Sequence, residues 1–177
     1  MDKAIALVGA RGAGKSAVGA ELARLLGASF RDVDDEVVPG EPAGAALARL
    51  GEAGFRALEL AALRRVLAEA PADGAPLVVA TGGGVVEIPE ARELLRARAR
   101  VVWLSAPAEV LARRIAADPT PRPALQGRDA SGEIEAVLRR REPWYRELAD
   151  AIVASGDADV ATVARRVATA LGLQLDA

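Results

Sequence analysis

An apolar run, Ala4-Ile5-Ala6-Leu7-Val8, leads directly into Gly9-Ala10-Arg11-Gly12-Ala13-Gly14-Lys15-Ser16, and a helical pattern begins at once behind it. No other feature narrows the possible folds so far. The apolar run reads as a buried strand, and Val18, Leu22, Leu25 and Leu26 recur at helical spacing from Ala17 to Leu26. The glycines therefore sit at a strand-to-helix turn, where backbone N–H groups converge and the helix N-terminus adds partial positive charge. Such a turn holds a phosphate group. Lys15 is placed to reach β- and γ-phosphates, and the Ser16 hydroxyl can meet the magnesium ion that accompanies a nucleoside triphosphate.

Composition limits what kind of nucleotide protein this can be. The 177 residues, 51% of them hydrophobic, are enough for one domain with a proper core and too few for two. No apolar stretch approaches the roughly 20 residues that span a bilayer, and the charged start at Asp2 and Lys3 does not resemble a signal peptide. Cysteine is absent, which fits a reducing cytoplasm and excludes disulfides and thiolate chemistry. Histidine is absent too. Any general base must then be a carboxylate or a lysine, and any metal must be held by oxygen, which favours magnesium over zinc. A net charge of −2 and scarce aromatics argue against a nucleic-acid partner.

Strands and helices alternate along the rest of the chain. Ala28 to Asp34 reads as a short strand running into acidic residues, and Pro39, Gly40 and Pro42 break the chain before a short helix from Gly44 to Leu50. Phe55, Leu58, Ala62, Leu63, Val66 and Leu67 predict a helix over Glu52–Ala70, followed by a loop over Pro71–Pro76. Leu77 to Ala80 is a continuous apolar run of the kind a doubly covered parallel strand shows, and it ends in Thr81-Gly82-Gly83-Gly84. A helix after Pro89, a strand at Val101–Leu104 and a helix from near Pro107 follow. Residues 117 to 131 carry three prolines, a glycine and two arginines with little apolar periodicity, and suit a mobile flap. Glu133–Leu148 returns to helix, Ala151–Val153 is a last strand and Val160–Leu171 a closing helix.

Such alternation predicts an α/β fold of three layers, a five-stranded parallel sheet covered by helices on both faces. Ligands collect at the carboxyl ends of such strands. The phosphate loop, Asp32 and Asp34, the triple glycine and the flap are all expected there.

Taken together and in order, Gly9 to Ser16, Asp32-Val33-Asp34, Gly54-Phe55-Arg56 with Glu59, Gly82-Gly83-Gly84, Arg122-Pro123 and Arg141-Glu142-Pro143-Trp144-Tyr145 resemble the shikimate kinase family. The similarity runs from about Lys3 to the last helix. It implies a P-loop kinase of the nucleoside monophosphate kinase type, one domain over 1–177 with a substrate-binding helical region near 33–61 and a lid near 117–131. It also implies transfer of the γ-phosphoryl group of ATP, with Mg2+, to the 3-hydroxyl of shikimate. By that resemblance Gly12, Ala13, Gly14, Lys15, Ser16 and Ala17 hold the nucleotide phosphates. Arg114 stacks on adenine, although Arg113 lies beside it. Ser16 and Asp32 serve the metal, and Asp34 binds ring hydroxyls and takes the attacking hydroxyl's proton. Arg56 and Arg141 grip the substrate carboxylate, for which a guanidinium fork is better suited than an ammonium. Gly82, Gly83 and Gly84 offer backbone N–H groups, and Arg122 closes over the phosphates as a lid arginine, joining Lys15 and Asp34 in catalysis. Shikimate and ATP are the expected partners of a cytoplasmic monomer that touches neither membrane nor nucleic acid.

Other readings stay open on the residues alone. Asp32 and Asp34 could be solubilising charges, Arg56 could simply pair with Glu59 or Glu52 on its helix, and Arg139-Arg140-Arg141 could form a solvated face. Phe55 and Trp144 read as core packing before substrate contact. The chain also departs from the family at Ala17, where a second hydroxyl residue is usual, a loss of about 1 kcal/mol of hydrogen bonding. The stretch between Asp34 and Phe55 is short and broken, Arg122-Pro123-Ala124-Leu125 keeps only the Arg-Pro, and Ala154-Ser155-Gly156-Asp157 lacks the basic residue frequent in the adenine loop. A kinase for another hydroxy acid of gluconate type, or a catalytically silent nucleotide-binding module, are the competing functions.

Overall fold

The computed structural model describes residues 3–41, 43–69, 76–118, 130–156 and 158–175. Five strands, β1 (Ala4–Val8), β2 (Ser29–Asp32), β3 (Leu77–Ala80), β4 (Ala99–Ser105) and β5 (Ala151–Ala154), form one sheet in the order β2-β3-β1-β4-β5, and every pairing is parallel. Parallel neighbours need crossovers that return the chain to the same end, and helices supply them: α1 (Lys15–Leu26), α2 (Val33–Val37), α3 (Ala43–Ala68), α4 (Pro89–Arg98), α5 (Ala108–Ala117), α6 (Ala130–Leu148) and α7 (Val160–Ala170).

Alternation along the strands divides the core between the two faces of the sheet. On one face, the upper core, Ala6, Val8, Val79, Val101 and Trp103 pack with Leu63, Val66, Leu95 and Tyr145 from the upper layer of α3, α4 and α6. On the other, the lower core, Ile5, Leu7, Val78, Val102 and Leu104 pack with Leu22, Leu111 and Val167 from α1, α5 and α7. Because both faces are covered, the central strands read as unbroken apolar runs, and the three-layer expectation holds.

Several boundaries differ from the sequence reading. The second strand stops at Asp32, and Val33 and Asp34 belong to α2 instead. The cause is local: the Asp32 carboxylate accepts from the Asp34 N–H at 3.0 Å, an N-cap that turns the chain into a helix two residues earlier than the acidic run suggested. The short and long helices on either side of residue 51 meet end to end as α3, with Gly51 at φ 70, ψ 170 marking the break between them. The fourth strand is longer than its apolar run, since Ala99 and Arg100 pair with Ala4 and Ile5 and Ser105 pairs with Ala154. The last helix of the upper layer begins at Ala130 and runs through Pro143 without ending. Of the expected flap, Ala117 ends α5 and Ala130 opens α6, while 119–129, Arg122 among them, lie outside the described residues.

This strand order puts the functional segments together. The chain leaves β1 toward one side of the sheet for β2 and β3, then crosses to the other side for β4 and β5. The reversal falls at β1, and a crevice opens at the carboxyl end of such a strand. The glycine-rich loop stands in it.

Candidate active site

Gly14 opens α1 in a left-handed conformation, φ 90, that a side chain would resist, and no side chain caps the helix. The helices that follow Asp32 and Asp159 are capped by those carboxylates. At α1 no capping side chain occupies the helix N-terminus, as an anion site requires. Lys15, largely buried, donates to the carbonyls of Gly9 at 2.9 Å and Ala10 at 3.0 Å, which holds its ammonium over the loop.

A cavity of about 540 Å³ spreads from this loop. On the phosphate-loop side it is lined by Gly12, Gly14, Lys15, Ser16 and Ala17, with Arg114 beside them. On the other side stand Asp34, Arg56, Glu59, Gly83, Gly84 and Arg141. Of the remaining expected residues, Ala13 points its side chain into the lower core, and Gly82 and Asp32 stand just behind the lining. The phosphate loop, the acidic segment after β2 and the triple glycine thus converge in space, while most of the flap expected beside them lies outside the described residues.

Two oxygen donors meet beside the loop. The Ser16 hydroxyl donates to Asp32 Oδ2 at 2.5 Å, so the alcohol and the carboxylate named for a metal share one spot. This all-oxygen pair suits a hard cation such as Mg2+. Among the described residues no cluster of three or more carboxylate, His or Cys side chains could hold a metal unaided. A magnesium ion here would take its other ligands from phosphate oxygens and water, its usual habit.

The substrate side is built by ion pairs. Arg56, on α3, donates from Nη1 to Glu59 and from Nη2 to Glu87 at 3.1 Å, with Glu52 at 3.8 Å. The intrahelical pairing that the sequence left open is real, and it does not take Arg56 out of the cavity. Glu59 is 2% exposed. Burial pushes its carboxyl above the ordinary value, the Arg56 charge and hydrogen bond oppose that push, and the neighbouring Asp34 carboxylate adds to it. Glu59 and Asp34 flank Gly82, where any side chain would overlap Glu59.

Arg141 resolves the basic run at the start of its motif. Its side chain is 13% exposed, whereas Arg139 and Arg140 are 68% and 59% exposed. Arg141 donates to the Gly83 carbonyl at 2.9 Å and to Glu87 at 3.0 Å. Tyr145, one helical turn on, donates its hydroxyl to the same carbonyl at 2.9 Å and stacks on Trp103 with ring centroids 5.4 Å apart. Burial lifts the phenol to about 12, so it remains a donor at any working pH. Gly84 lies under the Arg56 guanidinium so closely that a methyl group there would overlap it. Phe55 serves both uses, buried in the upper core and lining the cavity. Trp144 packs on the same core with Arg92 over its ring at 5.3 Å.

At the nucleotide end, Arg114 rather than Arg113 faces the cavity. It donates to the Gly12 carbonyl at 3.3 Å and to the Ser155 carbonyl at 2.7 Å, tying the phosphate loop to the turn after β5. Arg113 is exposed. Glu87 and the Tyr145 hydroxyl are the parts of this arrangement that sequence reasoning missed. Glu87 sits 31 positions from Arg56 and 54 from Arg141, and no local pattern announces such a pair.

The profile of the shikimate kinase family matches residues 11–172. A shikimate kinase of Halorhodospira halophila is 43% identical over 171 residues, covering 94% of this chain and 92% of its own. Among solved structures, the shikimate kinase of Acinetobacter baumannii in complex with shikimate superposes with a TM-score of 0.86 at 34% identity, over 96% of this chain and 93% of that one. A gluconokinase of Sinorhizobium meliloti reaches a TM-score of 0.68 at 22% identity, over 96% and 91% of the two chains, a likeness of fold alone.

Proposed function

Because this chain belongs to the shikimate kinase family, we propose that it transfers the γ-phosphoryl group of ATP to the 3-hydroxyl of shikimate, giving shikimate 3-phosphate on the way to chorismate and the aromatic amino acids. One observation carries the reading: a single cavity joins the phosphate loop with Lys15 to a carboxylate, Asp34, and to two guanidinium groups, Arg56 and Arg141. Phosphoryl transfer asks chiefly for alignment and charge neutralisation, and these groups supply both.

Each residue then has a task. The open N-terminus of α1 and the Lys15 ammonium receive the β- and γ-phosphates. Asp34 accepts a hydrogen bond from the attacking hydroxyl and takes its proton as the oxygen bonds to phosphorus. Arg56 and Arg141 bind the ring carboxylate at the far end, which fixes the hydroxyl's approach. Gly82, Gly83 and Gly84 let the ring lie against backbone. Ser16 and Asp32 would hold Mg2+, which when bound neutralises charge on the phosphate oxygens. Arg114 borders the nucleotide. The role of Arg122 rests on the family resemblance alone. The whole of 1–177 acts as one kinase domain with residues 33–61 as its substrate side, working as a cytoplasmic monomer on small molecules. No helix among the described residues is long and apolar enough to cross a membrane.

The paired arginines call for a carboxylate on the substrate, and relative turnover separates shikimate from the competing hydroxy acids, which carry one too. Replacing Arg56 by lysine keeps the charge beside the buried Glu59 but removes the fork. That change should raise the shikimate KM about 10-fold or more while leaving the ATP KM within about twofold, since charge-assisted bonds to one end of the substrate are lost. Steady-state kinetics against each substrate measures it. An unchanged shikimate KM, or faster turnover of gluconate than of shikimate by the wild type, would contradict the assignment.

A further inference from the structure

Glu87 ends the 3-10 turn Val85–Glu87 that follows the triple glycine, and its carboxylate holds three arginines. One oxygen, Oε2, accepts from Arg56 Nη2 at 3.1 Å and from Arg141 Nη2 at 3.0 Å. The other, Oε1, accepts from Arg140 Nη2 at 2.5 Å. Arg56 comes from α3 and Arg141 from α6, so a single oxygen joins guanidinium groups from two helices. The side chain is 16% exposed, and Glu87 is not among the residues lining the cavity that Arg56 and Arg141 do line. It therefore stands behind the two guanidinium groups rather than in the space before them.

Each guanidinium is then held at two points. Arg56 is fixed by Glu59 and Glu87, and Arg141 by the Gly83 carbonyl and Glu87. Two like charges this close repel unless an anion lies between them. Burial pushes the Glu87 carboxyl up, but the hydrogen bonds and charges of Arg141 and Arg140 outweigh burial and keep it below the ordinary value, so it is the ionised form that sits between them.

We propose that Glu87 is a positioning residue: it clamps Arg56 and Arg141 from behind at the spacing that a substrate carboxylate needs. The inference rests on the shikimate kinase reading above. A carboxylate that merely competed for the arginines would have the opposite effect, since removing it would free them and tighten substrate binding.

The test is steady-state kinetics of the wild type and Glu87→Gln with shikimate, and with a shikimate analogue carrying a hydroxymethyl group in place of the carboxylate. The clamp predicts a shikimate KM raised about tenfold, with kcat and the ATP KM within about twofold, because ground-state binding of one substrate end is what suffers. It predicts no comparable change for the analogue, which offers the fork no anion. A shikimate KM that stays the same or falls overturns the proposal, and so does an equal rise for the analogue. Should Glu87→Gln not fold, Glu87→Asp asks the same question, since it keeps the charge but draws the oxygen back from the fork. A raised shikimate KM at unchanged kcat supports the clamp, and an unaltered KM overturns it. Shikimate turnover by the wild type with a normal KM in the variants removes the clamp alone, whereas no turnover by the wild type removes the reading on which it rests.

Discussion

Lys15 shows how much of this site is a matter of single atoms. Its ammonium is held by two carbonyls of its own loop, so the cation is in place before a phosphate arrives. Preorganised charge of this kind is worth most where charge builds in the transition state. Replacing Lys15 by methionine, which keeps the length and loses the charge, should lower kcat about 10²- to 10³-fold, the scale of removing one such donor. Single-turnover kinetics at saturating ATP checks this, and a loss confined to the ATP KM would show that the charge only binds. That Lys15 would stand over the loop could be read from its place after three glycines, because backbone geometry and residue type carry that signal together. Residue type alone did not separate Arg141 from Arg139 and Arg140, and only the family motif running to Tyr145 singled it out. The structure distinguishes it by burial, since Arg141 alone of the three lies against Gly83.

At the scale of elements, strands were legible wherever both faces are covered, as at Leu77–Ala80, because nothing but apolar residues can stand there. Ends were not. Asp32 stops β2 by capping α2, an effect of one side-chain hydrogen bond that an acidic run does not reveal. Pro143 sits inside α6, and the packing of Tyr145 and Leu148 in the upper core keeps the helix on the sheet past it. Tyr145 links that helix to the site. It stacks on Trp103 of β4 and donates to the Gly83 carbonyl, which Arg141 also serves. Since the carbonyl keeps one donor, Tyr145→Phe should cost only about 1 kcal/mol, seen as a fall in Tm of about 2 to 4 °C. Thermal unfolding measures it. A loss several times larger would mean that the hydroxyl, rather than the ring, anchors α6.

Over the whole molecule, the charge that matters is arranged rather than abundant. The chain carries a net −2, yet its cavity gathers Lys15, Arg56, Arg114 and Arg141 around a space that Asp34 also enters. The strand order makes this possible by bringing the ends of β1, β2 and β3 side by side, so that residues 15, 34 and 83 line one cavity. That much was foreseeable from alternating strands and helices. The ion pairs that hold the substrate side were not, because they join α3, α6 and the turn after β3 across more than thirty positions of chain. The most direct test of the account is ADP release with ATP, Mg2+ and shikimate, run for the wild type and Asp34→Asn beside a control without shikimate. The account predicts shikimate-dependent release that falls about 10²-fold or more in the variant, as loss of a positioned base requires. Confirmed ATP binding without shikimate-dependent release by the wild type would contradict it.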